Sequence, residues 1–178
     1  DYMADRTKSA AVHEPASQFI KDLYKRKLAE APKAGELPLV LFTAGGTGAG
    51  KSSGINAVAG LSKTANQAQI IFDTNMNGYA SSKLKVEQAL AAGKNVHIAL
   101  VMRDPVDALV NGALPRATRQ EQQHGTGRTV PYQEHIKTHI GARDTIARLA
   151  EEYANDPRVS FTYVDNSNGP GGAVEVPS

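Results

Sequence analysis

Eight consecutive residues limit what this chain can fold into more than any other feature: Gly45-Gly46-Thr47-Gly48-Ala49-Gly50-Lys51-Ser52. They match the pattern G-x-x-x-x-G-K-[ST] in full. An apolar run, Leu37-Pro38-Leu39-Val40-Leu41-Phe42, precedes them, and a helical stretch over 51–60 follows. The spacing has a physical reason. Glycines let the backbone curl until successive N–H groups point into one concavity. The helix behind them adds unpaired amide donors and the positive end of its dipole. A lysine in seventh place reaches the β- and γ-phosphates of a nucleotide, and a hydroxyl in eighth place holds Mg²⁺. Gly46, Thr47, Gly48, Ala49, Gly50, Lys51, Ser52 and Ser53 are therefore the candidate nucleotide-binding residues.

The rest of the chain alternates short apolar runs with amphipathic stretches. Residues 15–30 read as a helix with Phe19, Ile20, Leu23, Tyr24 and Leu28 on its apolar side, behind a flexible arm over 1–14. Strands are expected at Leu37–Phe42, Gln69–Phe72 and Val96–Met102, with a half-exposed edge strand at Val159–Val164. Between them lie a helix over 79–92 stopped by Gly93, a helix bracketed by Pro105 and Pro115, and a polar flexible segment from Arg116 to Thr129. A long helix over 131–153 carries Ile136, Ile140, Ile146, Leu149 and Tyr153 as its core positions. Strands separated by helices imply right-handed crossovers and a parallel sheet with ligands beyond the carboxyl ends of the strands.

Those ends carry the remaining chemistry. Asp73 closes the Gln69–Phe72 strand, where a carboxylate faces the glycine loop. It serves there as a Mg²⁺ ligand or as a base for an acceptor hydroxyl. The ordinary alternative is a turn cap shared with Thr74, Asn75 and Asn77. Thr74 stands where ATPase motors place a water-activating glutamate, which favours transfer over hydrolysis. Arg116, Arg119 and Arg128 lie in a polar segment of the kind that delivers guanidinium groups to a transferring phosphoryl group. Arg103-Asp104 follows a strand end and reads as an ion pair or turn, with a place near the nucleotide as the alternative. Asp165–Gly172 reads as a cover for the purine or as a linker, and His97 as a packed or edge histidine. His135 and His139 have a zinc-compatible spacing but no third ligand in sequence.

Composition excludes several classes. The 178 residues contain no cysteine, so disulfides, thiolate metal sites and a cysteine nucleophile are absent. A net charge of +2 gives no sign of a nucleic-acid or membrane surface. The apolar runs are far shorter than the ~20 residues needed to span a bilayer. No Asn/Thr-Lys-x-Asp guanine-reading motif is present. The first residues lack a signal-peptide core, so a cytoplasmic setting is expected. A start at Asp1 and an end at Val176-Pro177-Ser178 read as a single domain over 15–178 excised from a longer protein.

The order of these features is telling. A strand ends in Asp73, then come a helix with Gly93, the Val96–Val101 strand, a Pro105 turn, the three arginines and the tail Tyr163-Val164-Asp165-Asn166-Ser167. From Leu37 to Glu175 the chain resembles the zeta-toxin family of P-loop kinases. The resemblance implies a three-layer α/β fold with a small, mostly parallel sheet of about four to five strands. It implies ATP and Mg²⁺ as cofactors, and transfer of the γ-phosphoryl to a hydroxyl of an unidentified small molecule, such as a nucleotide-sugar or nucleotide. It implies catalytic roles for Lys51, Asp73, Arg116 and Arg128, a nucleotide contact for Arg119, and Mg²⁺ at Ser52 and Asp73. A protein antitoxin, or the rest of a longer chain, is the implied partner. One spacing departs from the family. Only 21 residues separate Lys51 from Asp73, leaving room for one strand–helix unit where the family usually carries two. A nucleotide-binding module without acceptor chemistry is the alternative reading.

Overall fold

The computed structural model describes residues 9–125, 131–169 and 171–177. Helix α1 (Ser9–Ala29) leads into β1 (Leu37–Ala44), which delivers the chain to the glycine loop. Two helices follow, α2 (Lys51–Ala57) and α3 (Ala59–Gln67), broken by Val58 in an extended conformation, so the single helical stretch expected over 51–60 is divided. Then come β2 (Ala68–Asp73), α4 (Tyr79–Ala91) and β3 (Asn95–Met102). A composite helix comprises α5 (Pro105–Ala108), a π-helical turn (Leu109–Ala113) and α6 (Leu114–His124). Helix α7 (Tyr132–Glu152), β4 (Val159–Asp165) and β5 (Val174–Val176) complete the order.

The strands form one sheet in the order β2-β1-β3-β4-β5. The first four are parallel, and β5 runs antiparallel to β4. Only one strand–helix unit, β2–α4, separates the loop-bearing helices from β3. Central strand β1 is buried on both faces from Val40 to Ala44, which is why it reads as a continuous apolar run. One face packs Val40, Phe42, Ile98 and Leu100 against Tyr24 and Leu28 of α1, Val86 and Ala89 of α4, and Ile146 and Leu149 of α7. The other packs Leu41, Ala99, Val101 and Val164 against Ile55, Val58 and Leu61 around α2 and α3. Among the described residues no helix is long and apolar enough to cross a membrane.

Four local expectations need correction. Helix α1 begins at Ser9, inside the expected arm, and Phe19 and Ile20 are exposed rather than packed. Strand β4 is an edge only over Val159–Thr162, because β5 pairs with its last residues, Tyr163–Asp165. The segment from Arg116 is helical as far as His124, since Pro115 sits in the first turn of α6, where its missing N–H costs nothing. On α7 the buried stripe is rotated from the expected one: His135, His139, Ala142, Thr145, Ile146 and Leu149 are buried, while Ile140 is 54% exposed.

The histidines take those buried places because backbone carbonyls meet them there. His135 Nε2–H donates to Pro105 O at 2.7 Å, and His139 Nε2–H donates to Thr47 O at 3.0 Å. Burial pushes His139 below its ordinary value of 6.5; the bond to Thr47 opposes this, while the nearby His135, Arg143 and Lys51 add to it. The unfolded chain then takes up a proton at a pH where the folded chain does not, so stability falls as pH drops through about 6.5. Urea midpoints measured between about pH 7.5 and 5.5 should fall, and His139→Gln should remove part of that slope. His97, also lowered by burial, retains the remainder. Phe42→Ala should cost about 3–5 kcal/mol in the same assay at neutral pH, because the ring fills the centre of the larger core.

Candidate functional site

The glycine loop emerges from the carboxyl end of β1 and turns into α2 through Gly48 (φ 76) and Gly50 (φ 79), a left-handed backbone that suits glycine. Its carbonyls are held from several sides. Gly45 O accepts from Lys51 Nζ at 3.4 Å, and Gly46 O from Ala49 N at 3.2 Å. Thr47 O accepts from His139 of α7. Gly48 O accepts from Arg103 Nη1 at 3.5 Å, and Ala49 O from Asn166 Nδ2 at 2.8 Å. Gly50 O accepts from Gly54 N at 2.8 Å. At the other end, Gly45 N–H donates to Asn75 O and Thr47 N–H to Thr138 Oγ1. The first turn of α2 leaves the N–H groups of Lys51, Ser52 and Ser53 without intrahelical partners. The loop thus presents donors, the complement of a phosphate group.

Close packing allows this anchoring. A Cβ on Gly46 would lie 2.1 Å from the His139 ring, and one on Gly112 would lie 2.6 Å from Gly48 O. The composite helix therefore rests directly on the loop, backbone to backbone.

Lys51 reaches back across the loop. Its ammonium donates to Asn75 Oδ1 at 2.9 Å as well as to Gly45 O. Burial lowers its pKa from the ordinary value; Asp73 counteracts this, and Arg116 adds to it. Asn75 belongs to the turn after β2, where the neighbouring Met76 is buried with a left-handed backbone (φ 49). Asp73 pairs in register with Thr43 of β1, and Thr43 Oγ1 donates to Asp73 Oδ1 at 2.5 Å. That bond fixes the carboxylate beside the start of the loop.

These groups border a cavity of about 690 Å³, within the usual size of a small-molecule site. Lys51, Ser52, Ser53, Asp73, Arg116 and Arg119 all line it, as do Gly48 and Gly50. Of the expected loop residues, Gly46, Thr47 and Ala49 face the anchoring side instead. Arg128 lies outside the described residues. Among the described residues no cluster of three or more metal-ligating side chains exists, and His135 and His139 are committed to backbone carbonyls.

Thr43, Asp107 and Asn111 escaped the sequence reading, while Arg103, Asn75 and Asn166 entered it with other roles weighed more heavily or left open. Arg103 is buried, paired with Asp107 and bonded to Gly48, while Asp104 caps α5 through Val106 N and Asp107 N. Asp107 also accepts from Asn111 Nδ2 at 2.6 Å, and both line the cavity. Asn75 and Asn166 support the loop from beyond the ends of β2 and β4, and Thr43 near the end of β1 holds Asp73. Their one sequence signal is position, since each lies at or just beyond a strand's carboxyl end.

No curated protein matches the chain. Three crystal structures share its fold. The AvrRxo1-ORF1:AvrRxo1-ORF2 complex with sulphate ions has a TM-score of 0.65 at 15% identity, covering 93% of this chain and 66% of that one. The complex with ATP has a TM-score of 0.63 at 16% identity, covering 98% and 69%. The native complex has a TM-score of 0.63 at 15% identity, covering 92% and 66%. The chain thus spans about two thirds of the length of these neighbours, and at such identity the likeness is one of fold. The Zeta toxin family model matches residues 58–169, more than half of the chain. That stretch takes in Asp73, β3 and the helix bearing Arg116 and Arg119, and on it the protein belongs to the Zeta toxin family.

Proposed function

We propose that the protein binds Mg²⁺–ATP and transfers the γ-phosphoryl to a hydroxyl of a small molecule. The observation that carries this reading is the convergence of Lys51, Ser52, Asp73, Arg116 and Arg119 on one cavity. The unpaired amides of Lys51, Ser52 and Ser53 at the start of α2, with the Lys51 ammonium, hold the β- and γ-phosphates. Arg116 and Arg119 approach from the composite helix and neutralise charge spread over the transferring group. Asp73, oriented by Thr43, accepts the proton of the acceptor hydroxyl or binds the metal. Arg128, which lies in the segment after α6, joins the arginines in this proposal.

Mg²⁺ fits the donor set. Ser52 offers a hydroxyl and Asp73 a carboxylate, both hard oxygen donors lining the same cavity. Mg²⁺ takes few protein ligands and completes its shell with phosphate oxygens and water, so the lack of a larger acidic cluster among the described residues suits it. When bound, the ion would neutralise charge on the β- and γ-oxygens.

Asp73 also lines a second hollow of about 440 Å³ between α1 and β2, floored by Ile20, Leu23, Tyr24, Ile71 and Phe72. A groove that ends at the proposed base is the natural approach for an acceptor, and its floor suits one with an apolar face. The ATP complex among the structural neighbours supports ATP as the nucleotide. Their second chain, AvrRxo1-ORF2, supports a protein partner for this chain as well.

Calorimetric titration with Mg²⁺–ATP tests the binding half. Lys51→Ala should weaken affinity at least about tenfold, the value of a lost charge-assisted contact. Undiminished affinity overturns the assignment. For transfer, labelled ATP and a panel of hydroxyl-bearing metabolites should yield a phosphorylated product. Asp73→Asn should slow that reaction by about 10²–10⁴ if Asp73 is the base. ATP binding with no product across the panel supports a binding module without acceptor chemistry, the reading that the single β2–α4 unit favours.

A further inference from the structure

Between Pro105 and His124 the chain runs as one helix interrupted by the π-helical turn at Leu109–Ala113. Two pairs of residues, each nine apart, straddle that turn. Asp107 and Arg116 both line the phosphate cavity. Ala108 and Ala117 are both buried against the protein. In an uninterrupted α-helix each residue advances about 100°, so nine residues amount to about two and a half turns. Members of each pair would then point to opposite sides. A π-turn absorbs one extra residue. The nine-residue step then advances like eight, leaving about 80° between partners. The exposed positions agree: Val106, Val110, Leu114 and Thr118 are all exposed, at constant four-residue steps through the turn.

We infer that the π-turn at Leu109–Ala113 is a phase-setting insertion whose function is to bring Arg116 and Arg119 onto the cavity side occupied by Asp107 and Asn111. The inference rests on the nucleotide reading of the cavity. Gly112 marks where the turn is braced. It lies within the π-turn, and its missing side chain lets the helix sit on Gly48 O. The bracing holds the start of α6 at a set distance from the loop, and the extra residue sets its rotation. Gly112 and the turn are thus positioning elements that act through the two arginines.

One-residue changes of helix length separate this device from an ordinary connector. Deleting exposed Val110 removes the extra residue and leaves a regular α-helix with Arg116 and Arg119 in their original phase. Inserting an alanine between Ala113 and Leu114 adds a residue beyond the turn and rotates both arginines by about 100°. The readout is the ratio of Mg²⁺–ATP to Mg²⁺–ADP affinity by calorimetry, which isolates contacts to the γ-phosphate. In the native protein ATP should be favoured about tenfold or more through those contacts. The deletion variant should keep the ratio to within about threefold. The insertion variant should fall to the ratio of the Arg116→Ala/Arg119→Ala double variant, with ADP affinity retained.

An insertion variant that keeps the native ratio overturns the inference. So does a deletion variant that folds by circular dichroism yet falls to the double-variant ratio. If the deletion variant does not fold, Gly112→Ala decides: lifting the helix off Gly48 should lower the ratio at least about threefold, and an unchanged ratio overturns the inference. Failure of the underlying nucleotide reading is distinguishable, because it shows in the native protein as no ATP affinity, or in Lys51→Ala as no loss of it.

Discussion

The site depends on the anchoring of one short loop by its carbonyl oxygens. Between Gly45 and Gly50 every carbonyl accepts a hydrogen bond, from Lys51, Ala49, His139, Arg103, Asn166 and Gly54 respectively. A buried carbonyl without a donor costs on the order of 1–3 kcal/mol, so six satisfied carbonyls hold the loop in a single curl. Because the carbonyls are held by their donors, the amides at the start of α2 are left to face the cavity. Preorganisation of this kind means that a phosphate meets donors already in place.

The donors come from distant parts of the chain, and the sheet order brings them together. Central β1 places the loop between β2 and β3, so Asp73 and Asn75 approach from one side and Arg103 from the other. Strand β4, the next neighbour, ends beside them and supplies Asn166. Helix α7 crosses behind the loop and contributes His139 and Thr138. A parallel sheet sends all four strands toward the same end, which is why so many supports reach eight residues. The composite helix closes the remaining side through the Gly48–Gly112 approach and carries the arginines.

Much of this was legible in the residues. The loop motif, the apolar β1 run, the strand-end position of Asp73 and the single strand–helix unit before β3 all carry local or periodic signals. The arginines were legible as chemistry but not as structure. Arg116 and Arg119 read as part of a flexible polar segment because Pro115 looks like the end of the helix that Pro105 begins. In the fold, Pro115 occupies the first turn of α6, so the chain stays helical past it as far as His124. On α7 the isoleucines were the natural core choice. His139 displaced Ile140 from the interior because a carbonyl at the loop needed a donor more than the core needed another methyl group.

What the sequence alone determined is what a contiguous segment can specify: a glycine loop of phosphate-binding pattern after a buried strand, an acid at the next strand's end, and an alternation of strands and helices that makes a parallel α/β fold. Those follow from backbone freedom at glycine, side-chain periodicity and fixed spacing, all of which act over a few residues. Tertiary structure decided which groups anchor the loop and which way the arginines face. Each anchor is a contact between residues tens of positions apart. The facing of Arg116 and Arg119 depends on one extra residue absorbed in a helical turn, a rotation that composition and motif do not encode.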